Sequence, residues 1–593
     1  MLNYARNYAR FSRMTATIMK ASGKFRFANV SCRIPPKRTS TALGTVMGLM
    51  ILSLGAVSHA QNNLVTPAQY LLLQMPPNFA PDNPLPHLTR WGWTLSTNTD
   101  MVLATNWDYD LEFSGCASTG NVQSIFTPGS YNSVVTYLAS NQPSLFKLSV
   151  IVDRSLPPIV PNSAFCTNSS GLFVDNVGNS WATNTIIYSA AGDSVENSLG
   201  SGNFPTNDAV TSPQAPSSYL VSRAAYQMQS LAVIQSNAPL DIVMDGGEYD
   251  MQVPGWGESA WLQDPRVQAA TRGMTIYDYS SQQKSYQLSY LYNDIKQQVP
   301  NRGLYIFYEA GNAEQTRVSS AGQGYLQWGW SDKNMASNVD LLGCDFYYNG
   351  RANWTNNSKY SGGNAYYCDY LTKTLNVVGF NIKFGYPLTY DWLSGGSTTT
   401  DTNAYSDMAT YTGFLKCLYT AGMVGAVAEQ DFYPPGTNGP LIGGPGFDAS
   451  FPTNQPPDWL QQMMALSHVH ALFSHLTSFL YNGSLMPGVT SNIMSTDQPA
   501  YEFTNTVADP YSRVLARKLN GRNQWIVTAW NSNEKTNTVT VNIPTIGNLN
   551  VTAVPSGSVY QVTMTGTNVQ RILLDEYTSL PPPPPSNFRL VTR

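Results

Sequence analysis

Between about residues 86 and 485, short apolar runs of strand length alternate with longer segments of helical pattern. Eight strand candidates can be read: "LTRWGWTLS" (88–96), "YDLEFSG" (109–115), "LFKLSVIVD" (145–153), "PLDIVMDGGEYD" (239–250), "GLYIFYEAG" (303–311), "VDLLGCDFYYNG" (339–350), "NIKFGYPLTYDW" (381–392) and "MVGAVAEQDFYP" (423–434). Helix-like segments at 131–140, 219–236, 282–298 and 403–421 lie between them. Apolar runs without strict alternation suit strands covered on both faces, and eight of them with helices in between predict a (β/α)8 TIM barrel. Stretches rich in Asn, Ser, Gly and Pro, 154–215 and 436–457, read as long loops over the top of that barrel.

The pattern changes after residue 500. Short alternating runs separated by turn residues, such as "TNTVTVNIP" and "VYQVTMTG", predict a small all-β sandwich. The expected organisation is a leader at 1–60, an irregular segment at 61–85, the barrel at 86–485, the sandwich at 486–579, and a Pro-rich linker and tail at 580–593. The leader reading rests on nine Lys or Arg with no Asp or Glu in the first 60 residues. An apolar run, "ALGTVMGLMILSLGAV", follows, and Ser58 and Ala60 are small residues placed for cleavage after Ala60. The run is short for a membrane anchor. A secreted, periplasmic or cell-surface protein, free of the membrane after cleavage, is expected.

Composition narrows the partners. Removing a leader of charge +9 takes the chain from −4 to −13, which disfavours nucleic acid and polyanions. Only 12% of residues are charged, about half the usual share, while aromatics also reach 12%. Amides, hydroxyls and flat rings then dominate the polar surface, a chemistry suited to sugars. Cys116, Cys166, Cys344, Cys368 and Cys417 follow the leader, an odd number, with Cys417 in a helical pattern as a buried thiol. "HVHALFSH" places His468, His470 and His475 as ordinary helix residues rather than metal ligands. No phosphate-binding loop, dinucleotide fingerprint or nucleophile elbow occurs. No metal and no cofactor is expected.

In (β/α)8 barrels the chemistry sits at the C-terminal ends of the strands. Here those ends are rich in acids and aromatics: Trp91 and Trp93, Asp110 and Glu112, Asp245 and Glu248, Glu309, Asp345 and Tyr347, Tyr390 and Asp391, Glu429 and Asp431. Paired carboxylates suit glycosidic bond cleavage. One protonates the leaving oxygen and the other stabilises or attacks an oxocarbenium-like carbon, provided their pKa values are driven apart.

The order barrel then sandwich, with Glu248 after the fourth strand, "VDLLGCDFYYNG" at the sixth and "GFLKCLYTAGMVGAVAEQDFY" at the last helix and strand, resembles clan A glycoside hydrolases over about 86–575. The resemblance implies a retaining enzyme acting on β-linked sugars, with Glu248 as acid/base and Glu429 as nucleophile. Gly247 stands where the clan usually has Asn. The clan's nucleophile lies on the seventh strand, which fits Glu429 if "LTSFLYNG" (476–483) is the eighth. Trp91, Trp93, Trp256, Asp345, Tyr347, Trp392 and Asp431 are the expected substrate contacts. An alternative pair, Asp245 and Glu309, resembles the catalytic positions of several α-glycosidase barrels, although Val243 stands where the α-amylase family has Arg. A second alternative is a non-catalytic carbohydrate-binding protein on the same fold. The expected partner is a mostly neutral polysaccharide or oligosaccharide.

Overall fold

The computed structural model describes residues 64–91, 97–114, 148–152, 159–160, 209–210, 240–245, 265–274, 276–298, 304–309, 338–349, 385–396, 408–429, 450–454, 456–488, 501–503, 511–532 and 535–576, with single positions near 214–228 and 371–382. At the outer ends of several barrel strands the backbone alone is described.

Eight parallel strands close into a barrel. They are β1 (Leu88–Trp91), β2 (Tyr109–Ser114), β3 (Leu148–Val152), β4 (Leu240–Asp245), β5 (Leu304–Glu309), β6 (Leu341–Asn349), β7 (Thr389–Gly396) and β8 (Met423–Glu429). Seven fall within the runs read from the sequence, and β7 begins inside the seventh run and continues four residues past its end at Trp392. Each strand pairs with its neighbours in chain order, and β8 pairs with β1 to complete the circle. The barrel strands thus occupy residues 88–429. "LTSFLYNG" is not an eighth strand: Thr477–Asn482 is a helix. Its residues spread their apolar groups over helical spacing, and Phe479 and Leu480 are the buried ones. Glu429 is therefore on the eighth strand, not the seventh.

The stretch 61–85, expected to be irregular, holds a two-residue strand, Leu64–Val65, paired antiparallel with Phe451–Pro452, and helix α1 (Pro67–Leu73). Thr66 and Gln69 cap α1 reciprocally, each side chain accepting from the other's backbone N–H, and Pro67 sits at the first helical position, where no N–H is needed. The other helices that matter here are α2 (Thr97–Asn106), α3 (Ile276–Gln298), α4 (Met408–Ala421), α5 (Asp458–Ser474) and α6 (Thr477–Asn482).

The C-terminal domain is all-β. A five-stranded antiparallel sheet runs β9 (Gly483–Leu485), β10 (Ser512–Leu519), β11 (Gln524–Asn531), β14 (Ser558–Thr565) and β15 (Asn568–Glu576), and a second sheet pairs β12 (Asn537–Ile543) with β13 (Gly547–Ala553). The sheet thus begins at Gly483, before the boundary expected from the sequence. Val514, Trp525, Val527 and Tyr560 of the larger sheet share an apolar core with Val541, Ile543, Leu549 and Val551 of the smaller.

Helix α4 joins the two domains. Nearly all its residues are buried, which an all-round apolar helix requires. One side packs on the barrel and the other on β10 and β11, so Phe414, Leu418 and Ala426 belong to one core with Leu515, Ile526 and Trp530. Gly413 is the contact point with Trp530, since a Cβ there would overlap Trp530 Cδ1 and Pro555 O. At the helix end, Gly422 (φ 140°) lets α4 turn directly into β8.

Candidate active site

Strand register sorts the barrel residues into two faces, because successive side chains on a strand alternate. Leu88, Tyr109, Leu393, Ala426 and Ala428 belong to the core shared with the helices, so they mark the outer face. Ile242, Met244, Tyr390, Trp392 and Val427 form a separate apolar cluster in the barrel interior. Following the pairing strand by strand keeps this parity around the whole circle. Asp345 lies opposite Trp392, Trp392 opposite Val427, Val427 opposite Thr89, and Thr89 opposite Asp110. Tyr347 lies opposite Ser394, Ser394 opposite Glu429, and Glu429 opposite Trp91. The offset set by Leu88 opposite Tyr109 and Thr89 opposite Asp110, carried two residues on, puts Glu112 level with Trp91.

The interior register therefore carries Trp91, Glu112, Tyr347 and Glu429 in one layer toward the C-terminal mouth. Asp345 and Trp392 lie in the layer beneath. Trp392, a candidate for sugar contact, is buried among Ile242, Met244, Tyr390 and Val427, one layer below the register level of Glu429. Asp245 and Glu309 fall on the other parity. Asp245 pairs with Val152 and Phe307, and Glu309 pairs with Cys344, all on the helix-facing register. The alternative pair is thus brought to the same rim as Glu429 but not to the same face of the sheet. Glu248, Trp93, Trp256 and Asp431 lie outside the described residues. Glu112 is the residue that the candidate set omitted. Its signal was present in "YDLEF", where Asp110 and Glu112 stand two apart and so share a face.

The opposite end of the barrel holds a buried polar network. Asp108, in left-handed backbone (φ 62°), precedes β2. Its carboxylate lies 3.1 Å from His87 Nδ1 and 3.3 Å from His470 Nε2. His470 Nδ1 is 2.6 Å from the Tyr419 hydroxyl. Burial drives the Tyr419 phenol well above its ordinary range, so its hydroxyl stays protonated beside Nδ1. Burial alone would raise the Asp108 carboxyl, but the hydrogen bonds and charge of His470 and His87 outweigh it and hold the group well below the usual carboxylate range. Nearby, the buried Tyr390 hydroxyl donates to His87 O (2.8 Å) and lies 2.9 Å from Thr89 Oγ1. The N-terminal face of such a barrel serves stability rather than chemistry. The three histidines of α5 and its end are accordingly structural: His468 stacks edge-on to Trp107, His470 joins the network, and His475 Nε2 lies 2.9 Å from Asn78 O. Cys417 is a buried free thiol. Among the described residues no group of three or more His, Cys, Asp or Glu is arranged to hold a metal ion, and no helix is long and apolar enough to cross a membrane.

No protein-family model matches the chain, and no curated protein matches it. Solved structures with a similar course of chain exist. Trehalose-6-phosphate hydrolase from Bacillus licheniformis has 8% identity and a TM-score of 0.42, over 81% of this chain and 98% of that one. A GH36 α-galactosidase from Geobacillus stearothermophilus has 11% identity and a TM-score of 0.39, over 86% of this chain and 58% of that one. A GH30 endoxylanase from Clostridium papyrosolvens has 11% identity and a TM-score of 0.31, over 83% and 96%. The barrel assignment rests on the strand register itself, which closes through eight parallel pairings.

Proposed function

We propose that the C-terminal mouth of the barrel hydrolyses glycosidic bonds in a mostly neutral, β-linked polysaccharide or oligosaccharide, with retention, and that the protein is exported. The observation that carries this reading is the register position of Glu429 in the outermost interior layer, level with Trp91 and Tyr347 and one layer beyond buried Trp392. A glutamate level in register with aromatic residues at that end of a (β/α)8 barrel suits attack on an anomeric carbon. Glu429 is the nucleophile. Glu248, just past β4, protonates the leaving oxygen and then activates water. Asp345 contacts sugar hydroxyls or orients Glu429, with Trp93, Trp256 and Asp431 completing the subsites. Among the described residues no Lys, Arg or His occupies an interior-register position of the eight strands, which favours an uncharged substrate.

The test is a screen of wild type, Glu248→Gln and Glu429→Gln on neutral plant and algal polysaccharides, scored by released reducing ends. Cleavage by wild type, lost by orders of magnitude in both folded variants, is the expected result. Azide restoring turnover to Glu429→Ala, with inverted product, assigns the nucleophile. Full activity in either Gln variant overturns that residue's role. Binding without cleavage by wild type across the panel overturns the hydrolase reading in favour of a sugar-binding protein.

A further inference from the structure

Helix α3 turns an uncharged face to solvent. Its barrel-facing side is set by Ser285, Leu288, Leu291 and Ile295, all buried. At helical spacing the opposite side is Gln282, Tyr286, Tyr290, Asn293 and Gln297, a stripe of amides and phenols about 22 Å long. Solvent-facing helix surfaces are ordinarily rich in Lys, Arg, Asp and Glu. Here the charged side chains described on α3, Asp294 and Lys296, lie on the flanks of the stripe, and Lys296 is held 2.9 Å from Asp340. Tyr286 is 46% exposed, so most of its ring is not used in packing against the barrel. It meets Tyr290 edge-to-face with centroids 5.5 Å apart, and the two hydroxyls lie 2.8 Å from each other. Ser217, itself exposed, hydrogen-bonds the Tyr290 hydroxyl as well. The two rings are thus held against each other before any ligand arrives, which lowers the ordering cost of binding.

We infer that this face of α3 is a glycan-binding surface, separate from the barrel mouth, that holds a neutral polysaccharide chain along the outside of the barrel. A phenol ring offers its apolar face to the C–H face of a sugar, with a polar edge that stays wet. The amides of Gln282, Asn293 and Gln297 carry both donors and acceptors for sugar hydroxyls. A polyanion would need cations along the stripe and a polycation would need carboxylates, and its five positions hold neither. The surface goes beyond the hydrolase reading and does not depend on it, since binding here needs no turnover.

Retardation in native gels that contain soluble starch, xyloglucan, galactomannan or mixed-linkage β-glucan, one polysaccharide per gel, yields a dissociation constant for each. Wild type should be retarded by at least one of them. Tyr286→Ala, alone or with Tyr290→Ala, should weaken that binding about tenfold or more. Asn293→Glu puts a charge on the stripe at an exposed position and should weaken it too, which keeps the test decisive if the tyrosine variants fold poorly. Where wild type cleaves a short oligosaccharide, all three variants should cleave it at the same rate. Wild type passing every gel without retardation overturns the surface, and so does retardation that none of the variants changes. Retardation by polygalacturonate alone overturns the choice of a neutral chain. A wild type that dimerises in sedimentation, lost in Tyr286→Ala and with no retardation by any glycan, assigns the face to a second copy instead. Wild-type cleavage without retardation sinks the surface and leaves the hydrolase reading standing. Retardation lost in the variants of a protein that cleaves nothing does the reverse.

Discussion

Arg517 is fully buried, and its guanidinium faces only backbone carbonyls. Nε donates to Phe479 O (2.7 Å), Nη2 to Leu480 O (2.8 Å) and Gly483 O (3.3 Å), and Nη1 to Ala421 O (3.2 Å). These carbonyls belong to the C-terminal ends of α4 and α6 and the start of β9, so a single side chain of the C-terminal sheet satisfies helix-end acceptors from both sides of the domain junction. Among the described residues no carboxylate lies within ion-pair distance. Burial lowers the pKa to about 10, which still leaves the group charged at pH 7. Replacing Arg517 with Met keeps most of the volume and removes every donor. Each orphaned buried acceptor costs about 1–3 kcal/mol, offset in part by no longer burying a charge. The net expected loss is about 3–5 kcal/mol, the range for removing one partner from a buried charged contact. Arg517→Lys should fall between, because an ammonium keeps the charge but cannot fork to four carbonyls. Urea unfolding, followed by tryptophan fluorescence and far-ultraviolet circular dichroism, reads this out. Because α4 shares one core with both domains, the two signals should shift together. A Met variant within about 1 kcal/mol of wild type, or a Lys variant as unstable as Met, would refute the reasoning.

Other substitutions test separate parts of the framework. Gly413→Ala places a methyl into Trp530 and Pro555 at the α4–sheet contact, and should destabilise by about 1–3 kcal/mol or more in the same urea assay. Thr66→Ala removes the reciprocal cap of α1. It should cost about 1 kcal/mol, seen as faster amide exchange in residues 67–73 with the barrel unaffected. Trp530→Leu at the same junction should cost about 2–4 kcal/mol through the cavity left against Phe414, measurable as a lower urea midpoint.

The barrel was legible in the sequence because parallel strands covered on both faces must be apolar runs, and all eight runs are punctuated by turn residues. The all-β domain was legible for the complementary reason: β12 and β13 alternate strictly, as in "TNTVTVNIP". Phe479 and Leu480 misled because six residues are too few to separate helical from strand spacing, and only the packing of α6 over β9 decides it. The parity of the rim acids was also hidden. Whether Asp245 or Met244 shares a face with Glu429 depends on the register shifts between Leu148 and Ser149 and between Thr389 and Tyr390, which one sequence does not reveal. The Asp108 network was out of reach for another reason, since it joins residues 87, 108, 419 and 470 through tertiary packing alone.

That network should make stability answer to acid. The folded Asp108 carboxyl sits below its unfolded value of about 4. Its stabilisation is therefore complete above about pH 4 and is lost as pH falls further, because protonation then favours the unfolded chain. Asp108→Asn keeps the left-handed backbone accessible and removes the titration. It should lower stability at pH 7 and flatten the dependence of the urea midpoint on pH below 4. The reason lies in what replaces the charge: an amide can still accept from His87 or His470, but it cannot release a proton-linked stabilisation as the solution is acidified. An Asn variant whose urea midpoint falls below pH 4 as steeply as that of wild type would place the acid sensitivity elsewhere in the fold, and the assignment of acid stability to this network would fail.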